Sequence, residues 1–105
     1  MPREPFSGHL ELLLLAALQE PRHGYGVIEH VRRASGGRFD YPDGTVYPAL
    51  HRLEAEGLLR SRWSEVEGRR RRVYEITARG KRALAGHRRE WERFASSVAA
   101  VVDQA

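Results

Sequence analysis

The chain has 105 residues, enough for one domain around a small core, and its 41% hydrophobic and 30% charged content suits a soluble globule better than a disordered tail. It contains no cysteine, which excludes disulfide staples, thiolate nucleophiles and thiolate metal sites and makes the cytoplasm the default location. Formal net charge is +4, but residues 60–93 hold 12 basic against 5 acidic side chains, an excess of 7 that leaves the remainder net negative by 3.

That asymmetry points to a polyanionic partner on one part of the surface. The purely apolar run Leu12 to Leu18 falls short of the roughly 17 residues that a membrane-crossing helix needs. The opening Met-Pro-Arg-Glu-Pro-Phe, with an acidic residue and two prolines, reads poorly as a signal peptide.

Residues 1–8 read as a loose arm. From His9, the spacing of Leu10, Leu13, Leu14, Ala17 and Leu18 predicts a helix, with Leu12 and Leu15 adding contact on a second side and Pro21 stopping it. A second helix follows the His23-Gly24 corner, with Tyr25, Ile28 and Val31 facing inward and Glu29, His30, Arg32 and Arg33 outward, and Ser35-Gly36-Gly37 ends it. Arg38 to Pro42 is a connector.

A third helix starts between Asp43 and Thr45 and runs to about Glu56, closed by Gly57. Val46, Leu50 and Leu53 form its buried stripe, and Asp43 or Thr45 caps it. Pro48 favours the later start, where its missing N–H costs nothing; a cap at Asp43 implies a distorted first turn.

The pattern then changes to that of strands. Leu58 to Trp63 and Arg72 to Thr77 are expected to pair as an antiparallel hairpin around an arginine-loaded loop, Ser64 to Arg71. A fourth helix opens at Thr77, a cap, and its series Leu84, His87, Trp91, Phe94, Val98, Val101 alternates spacings of three and four, a short heptad-like seam. The seam can fold back on Leu10 to Leu18 or meet a second copy of the chain. Both are expected, since Leu10 to Leu18 is apolar on more sides than one partner covers.

Three helices followed by a hairpin make a mainly α architecture with a small β-hairpin, the grammar of a winged helix-turn-helix plus a C-terminal dimerisation helix. The expected division is residues 1–77 for the DNA-binding unit with its arm and 78–105 for dimerisation. In such a unit a helix end enters the major groove of a duplex and the hairpin reaches phosphates or the minor groove. The buried stripe leaves Thr45, Pro48, Ala49 and Arg52 to approach DNA. Asp43, Gly44 and Thr45 offer backbone amides to a phosphate, and Arg69, Arg70, Arg71 and Arg72 add charged contacts. Tyr47 is counted with them, although a tyrosine beside apolar helix positions more often packs in a core.

The residues His23-Gly24-Tyr25-Gly26-Val27-Ile28, Gly44-Thr45-Val46-Tyr47-Pro48-Ala49-Leu50, Leu53-Glu54-Ala55-Glu56-Gly57-Leu58-Leu59 and Val73-Tyr74-Glu75-Ile76-Thr77, with Gly80 after them, carry a resemblance. Over nearly its full length the chain resembles the PadR family of transcriptional regulators, specifically the short subgroup with a single C-terminal helix. The resemblance implies a homodimeric repressor on a pseudo-palindromic operator, dimerised through the last helix. It also implies that Trp91 can line a pocket at the dimer centre for a small planar hydrophobic effector. On this reading Leu10, Leu14, Leu84, His87, Trp91, Phe94, Val98 and Val101 form the dimer surface.

No cofactor, metal or catalytic residue is expected. The five histidines are dispersed without a close-spaced ligand pair, and no serine sits in a nucleophile elbow. The rival reading is a winged-helix module whose third helix and wing bind a protein instead of DNA.

Overall fold

The structure is a computed structural model that describes residues 9–104; the expected N-terminal arm lies outside them. The elements are α1 (His9–Ala17), β1 (Arg22–His23), α2 (Gly24–Ala34), α3 (Asp43–Ala55), β2 (Leu59–Val66), β3 (Arg69–Ile76) and α4 (Ala78–Val102). This is the expected mainly helical fold, a three-helix head, a β wing and a long terminal helix. α4 stretches the molecule to 58 × 28 × 28 Å. Among the described residues no helix is long and apolar enough to cross a membrane.

The core joins all four helices to the sheet. Leu14, Leu15, Ala17 and Leu18 from α1 and the turn after it meet Val27 and Val31 of α2, Val46, Ala49, Leu50 and Leu53 of α3, Leu59, Tyr74 and Ile76 of the sheet, and Leu84 of α4. Leu10, Leu12 and Leu13 are partly buried against the same cluster, so α1 is apolar on nearly every side because it is the central post.

Three expectations about these elements need correction. Tyr25 does not face inward: it is 63% exposed, and Val27 takes the buried place beside Val31. The cause is close packing at the start of α2, where Gly24 lies beneath the Tyr47 ring and sets the rotation of the helix.

α3 begins earlier than Pro48 implied. Pro42 is its N-cap without a side-chain hydrogen bond, Asp43 is the first helical residue, and Pro48 lies inside. The first turn is tightened, with both Thr45 N (3.0 Å) and Val46 N (3.1 Å) donating to the Pro42 carbonyl.

The wing is longer than expected, because residues 64–66 and 69–71 belong to strands. Glu67 (φ 53°) and Gly68 (φ 75°) form a two-residue turn in the left-handed region, whose twist matches that of the strands, so pairing continues from Leu59↔Ile76 to Val66↔Arg69. The arginines are therefore held on a strand.

The sheet also has a third strand that no sequence pattern announced. β1 is two residues long and pairs antiparallel with β3 at Arg22↔Tyr74 and His23↔Val73, giving the order β1-β3-β2. Further bonds fix the sheet to the helices. Ile76 N donates to the Leu18 carbonyl (2.9 Å), and Thr77, the N-cap of α4, accepts from Gly80 N (3.0 Å) while donating to the Gly57 carbonyl (2.7 Å).

Candidate nucleic-acid interface

α3 turns Val46, Ala49, Leu50 and Leu53 into the core, so its outward stripe follows by elimination. Thr45, Pro48, His51, Arg52 and Ala55 are exposed on it. Ala49, expected on this side, is buried, a correction that follows from its place at the edge of the apolar stripe, three residues after Val46 and four before Leu53. His51 was missed. The signal was available in the sequence, since Gly44, Pro48, His51 and Ala55 recur at spacings of four, three and four, opposite the apolar stripe.

Arg52 lies toward the flank of α3 that faces α1, with Nη1 4.0 Å from Glu11 Oε1. Glu11 also meets His87 of α4 at 2.5 Å, so one carboxylate joins three helices. At the N-terminus of α3, two of the amides expected to cradle a phosphate are already used. Gly44 N donates to the Asp43 carboxylate (2.8 Å) and Thr45 N to the Pro42 carbonyl. Asp43, Gly44 and Thr45 themselves are exposed.

Strand alternation divides the wing arginines into two pairs. Arg70 and Arg72 share a face with Trp63, their guanidinium carbons 4.6 and 5.2 Å from the ring centroid, cation–π contacts on the face of the hairpin that carries Tyr74 and Ile76. Arg72 donates to Ser61 Oγ (2.8 Å), Ser61 donates to Glu54 Oε2 (2.5 Å), and Arg72 Nη2 lies 3.8 Å from the same carboxylate. This chain ties the wing to α3. Arg69 and Arg71 occupy the other face, where Arg71 Nη1 is 2.9 Å from His23 Nε2.

A solvent-open cleft of about 530 Å³ lies between the start of α2, α3 and the wing, lined by Tyr25, Tyr47 and Arg69 to Arg72, with His23, Gly24 and Tyr74 at its floor. Tyr47 is half-buried over Gly24, where an added Cβ would fall 2.4 Å from its Cε1; only a residue without a side chain lets the ring lie there. Burial pushes the Tyr74 hydroxyl up from its ordinary value, so it stays a neutral phenol beside the arginines. Burial, and secondarily Arg71, pushes the His23 imidazole down, which keeps it neutral at physiological pH.

The seam of α4 splits in two. Leu84 is buried in the chain's own core with Leu14, and His87 is held by Glu11. Trp91 stands edge-on to His9 (5.8 Å) and near Phe94 (6.2 Å), yet is 44% exposed. Beyond it, Val98, Val101 and Val102 project into solvent. Leu14 and Leu84 are thus consumed within the chain, whereas Trp91, Val98 and Val101 offer apolar surface outward; Leu10 is half-buried between these conditions.

Comparison with known proteins identifies the family and the fold. The model of the transcriptional regulator PadR-like family matches residues 12–86. Transcriptional regulator Rv3488 of Mycobacterium tuberculosis is 46% identical over 77 residues, 73% of this chain and 59% of that protein, so the match spans under two thirds of that relative's length. Among solved structures, a PadR family regulator from Eggerthella lenta superposes with a TM-score of 0.81 at 28% identity, covering 93% of this chain and 85% of that one. Another from Clostridium difficile gives 0.76 at 32% identity, covering 90% and 98%.

Proposed function

Because the chain belongs to the PadR-like family and is a DNA-binding transcriptional regulator, we propose that it works as a homodimeric repressor on a pseudo-palindromic duplex operator. The observation that carries this reading is a basic cleft in which Tyr25 and Tyr47 meet Arg69 to Arg72 of the wing, together with the exposed α3 stripe Thr45, Pro48, His51 and Arg52. α3 reads base edges in the major groove, chiefly through its exposed N-terminal half. Arg69, Arg70 and Arg71 neutralise phosphates and set register.

Dimerisation runs through the outer half of α4. Trp91, Val98 and Val101 leave apolar surface that a second α4 covers most simply, and a two-fold pair would present two α3 helices about one duplex turn apart, roughly 34 Å. A small planar effector stacking on Trp91 at the two-fold would alter the crossing of the α4 helices and so the spacing of the heads. Glu11, bonded to His87 and near Arg52, links that crossing to α3.

The experiment is selection of bound sites from random duplexes, followed by titration of the selected site and a scrambled one over a range of salt. Duplex binding should fall steeply as salt rises, with log K decreasing by about 0.9 per log salt for each phosphate contacted. Binding that ignores salt and sequence would favour a protein-docking module. Alanine at Arg69 and Arg70 should weaken both duplexes alike, whereas His51→Ala should erode the preference between them.

A further inference from the structure

His23 ends β1 and caps α2. Its Nδ1 accepts from Gly26 N at 3.1 Å, and a backbone amide can only donate, so the imidazole proton belongs on Nε2. Nε2 nevertheless lies 2.9 Å from Nη1 of Arg71, which is also only a donor. Two donors thus face each other, with no acceptor between them, at the floor of the basic cleft. The other tautomer would satisfy Arg71 but turn Nδ1–H against the Gly26 amide and remove the cap of α2. Arg71 can turn to water; the half-buried amide cannot.

Resting on the DNA-binding reading, we propose that His23 Nε2–H and the Arg71 guanidinium together hold one backbone phosphate of the bound duplex, whose oxygen is the acceptor that this pair lacks. The fold suits a diester. Arg69 stands two positions from Arg71 on the same strand and the same face, exposed, where the neighbouring phosphate of a continuous backbone would pass. Tyr47, packed over Gly24, lines the side of the cleft opposite the wing. His23 thereby links the phosphate contact to the N-terminus of α2, which packs beneath α3.

Two substitutions separate the roles of the ring nitrogens. His23→Asn keeps a short acceptor for the Gly26 amide and removes the outer donor; His23→Gln places an amide N–H at the reach of Nε2. Titrated on the selected duplex, His23→Asn should bind about tenfold more weakly, the factor of a hydrogen bond to a charged acceptor, with an unchanged salt slope because no charge is lost. His23→Gln should recover most of the loss, and Arg71→Ala should weaken binding and lower the slope by about 0.9. Nitrogen-15 spectra should show the Nε2–H tautomer in the free protein and a shift of His23 on adding duplex.

Wild-type affinity in His23→Asn, or an Nδ1–H tautomer in the free protein, overturns the proposal. So does a His23 signal that moves with inorganic phosphate while His23→Asn still binds duplex normally, which would make the pair a free-anion site. If the wild type ignores every duplex in dilute salt, the DNA-binding reading falls and this proposal with it; normal duplex binding by His23→Asn removes this proposal alone.

Discussion

The same substitution at two glycines of α4 should act with opposite sign. Gly80 is buried at the first turn, and an alanine Cβ there would lie 2.1 Å from the Leu58 carbonyl oxygen and 2.6 Å from Ile76 Cγ1. Neither can yield cheaply. The Leu58 carbonyl accepts from Thr77 N at 3.1 Å, and Ile76 is a core residue of β3. Relief therefore requires α4 to lift from the base of the wing, an overpacking cost of about 2–3 kcal/mol even after the helix-propensity gain of alanine. At Gly86 the new Cβ meets nothing nearer than Arg89 Nη2 at 4.0 Å, so Gly86→Ala keeps that gain and stabilises by about 0.5–1 kcal/mol. At roughly 4–8 °C per kcal/mol for a domain of this size, Tm should fall by about 10 °C or more in the first variant and rise by about 4 °C in the second. Urea unfolding followed by circular dichroism, at one fixed protein concentration, reads both. A Gly80→Ala protein within about 0.5 kcal/mol of wild type, or two variants shifted in the same direction, would refute the steric reasoning.

Other outcomes follow from the same contacts. Val98→Asp with Val101→Asp alters side chains that are exposed within the chain, so the secondary structure should survive while sedimentation shows monomers and operator affinity drops; a persistent dimer would place the interface elsewhere. Glu54→Gln removes the negative charge next to Ser61 and Arg72, so binding to any duplex at low salt should tighten and its salt slope steepen; weaker binding would mean that Glu54 chiefly positions the wing. His23 has a folded pKa below its ordinary value of 6.5, so the unfolded chain binds the proton more readily. Its contribution to stability is fully present above about pH 6.5 and is lost as pH falls through that value toward the folded pKa. The Tm of wild type should therefore drop more than that of His23→Asn between about pH 7.5 and about pH 5.5, and equal drops would contradict the shift.

Some interactions within a few residues of one another were legible in the sequence. Thr77 caps α4 through Gly80 N because a hydroxyl three residues before a free amide is a local arrangement. The apolar spacings along α1, α3 and α4 placed these helices, since burial on one side imposes a helical period on any sequence that can satisfy it. The outward stripe of α3 was equally local, and His51 could have been read from it.

Much of what escaped depends on partners far away in the chain. His23 meets Arg71, and Glu11 meets His87, across 48 and 76 residues, and no periodicity encodes such meetings. The two-residue β1 is too short for a pattern, and exists because β3 has an edge to pair with. Tyr25 faces solvent because Gly24 lies under Tyr47, a contact between different helices that sets how α2 is rotated. The amino-acid order by itself therefore determined which segments coil, which pair and where positive charge collects, all of which follow from local torsions and apolar spacing. Only the tertiary packing decided which arginines are engaged and which face outward, because that depends on where distant carboxylates, rings and glycines come to rest.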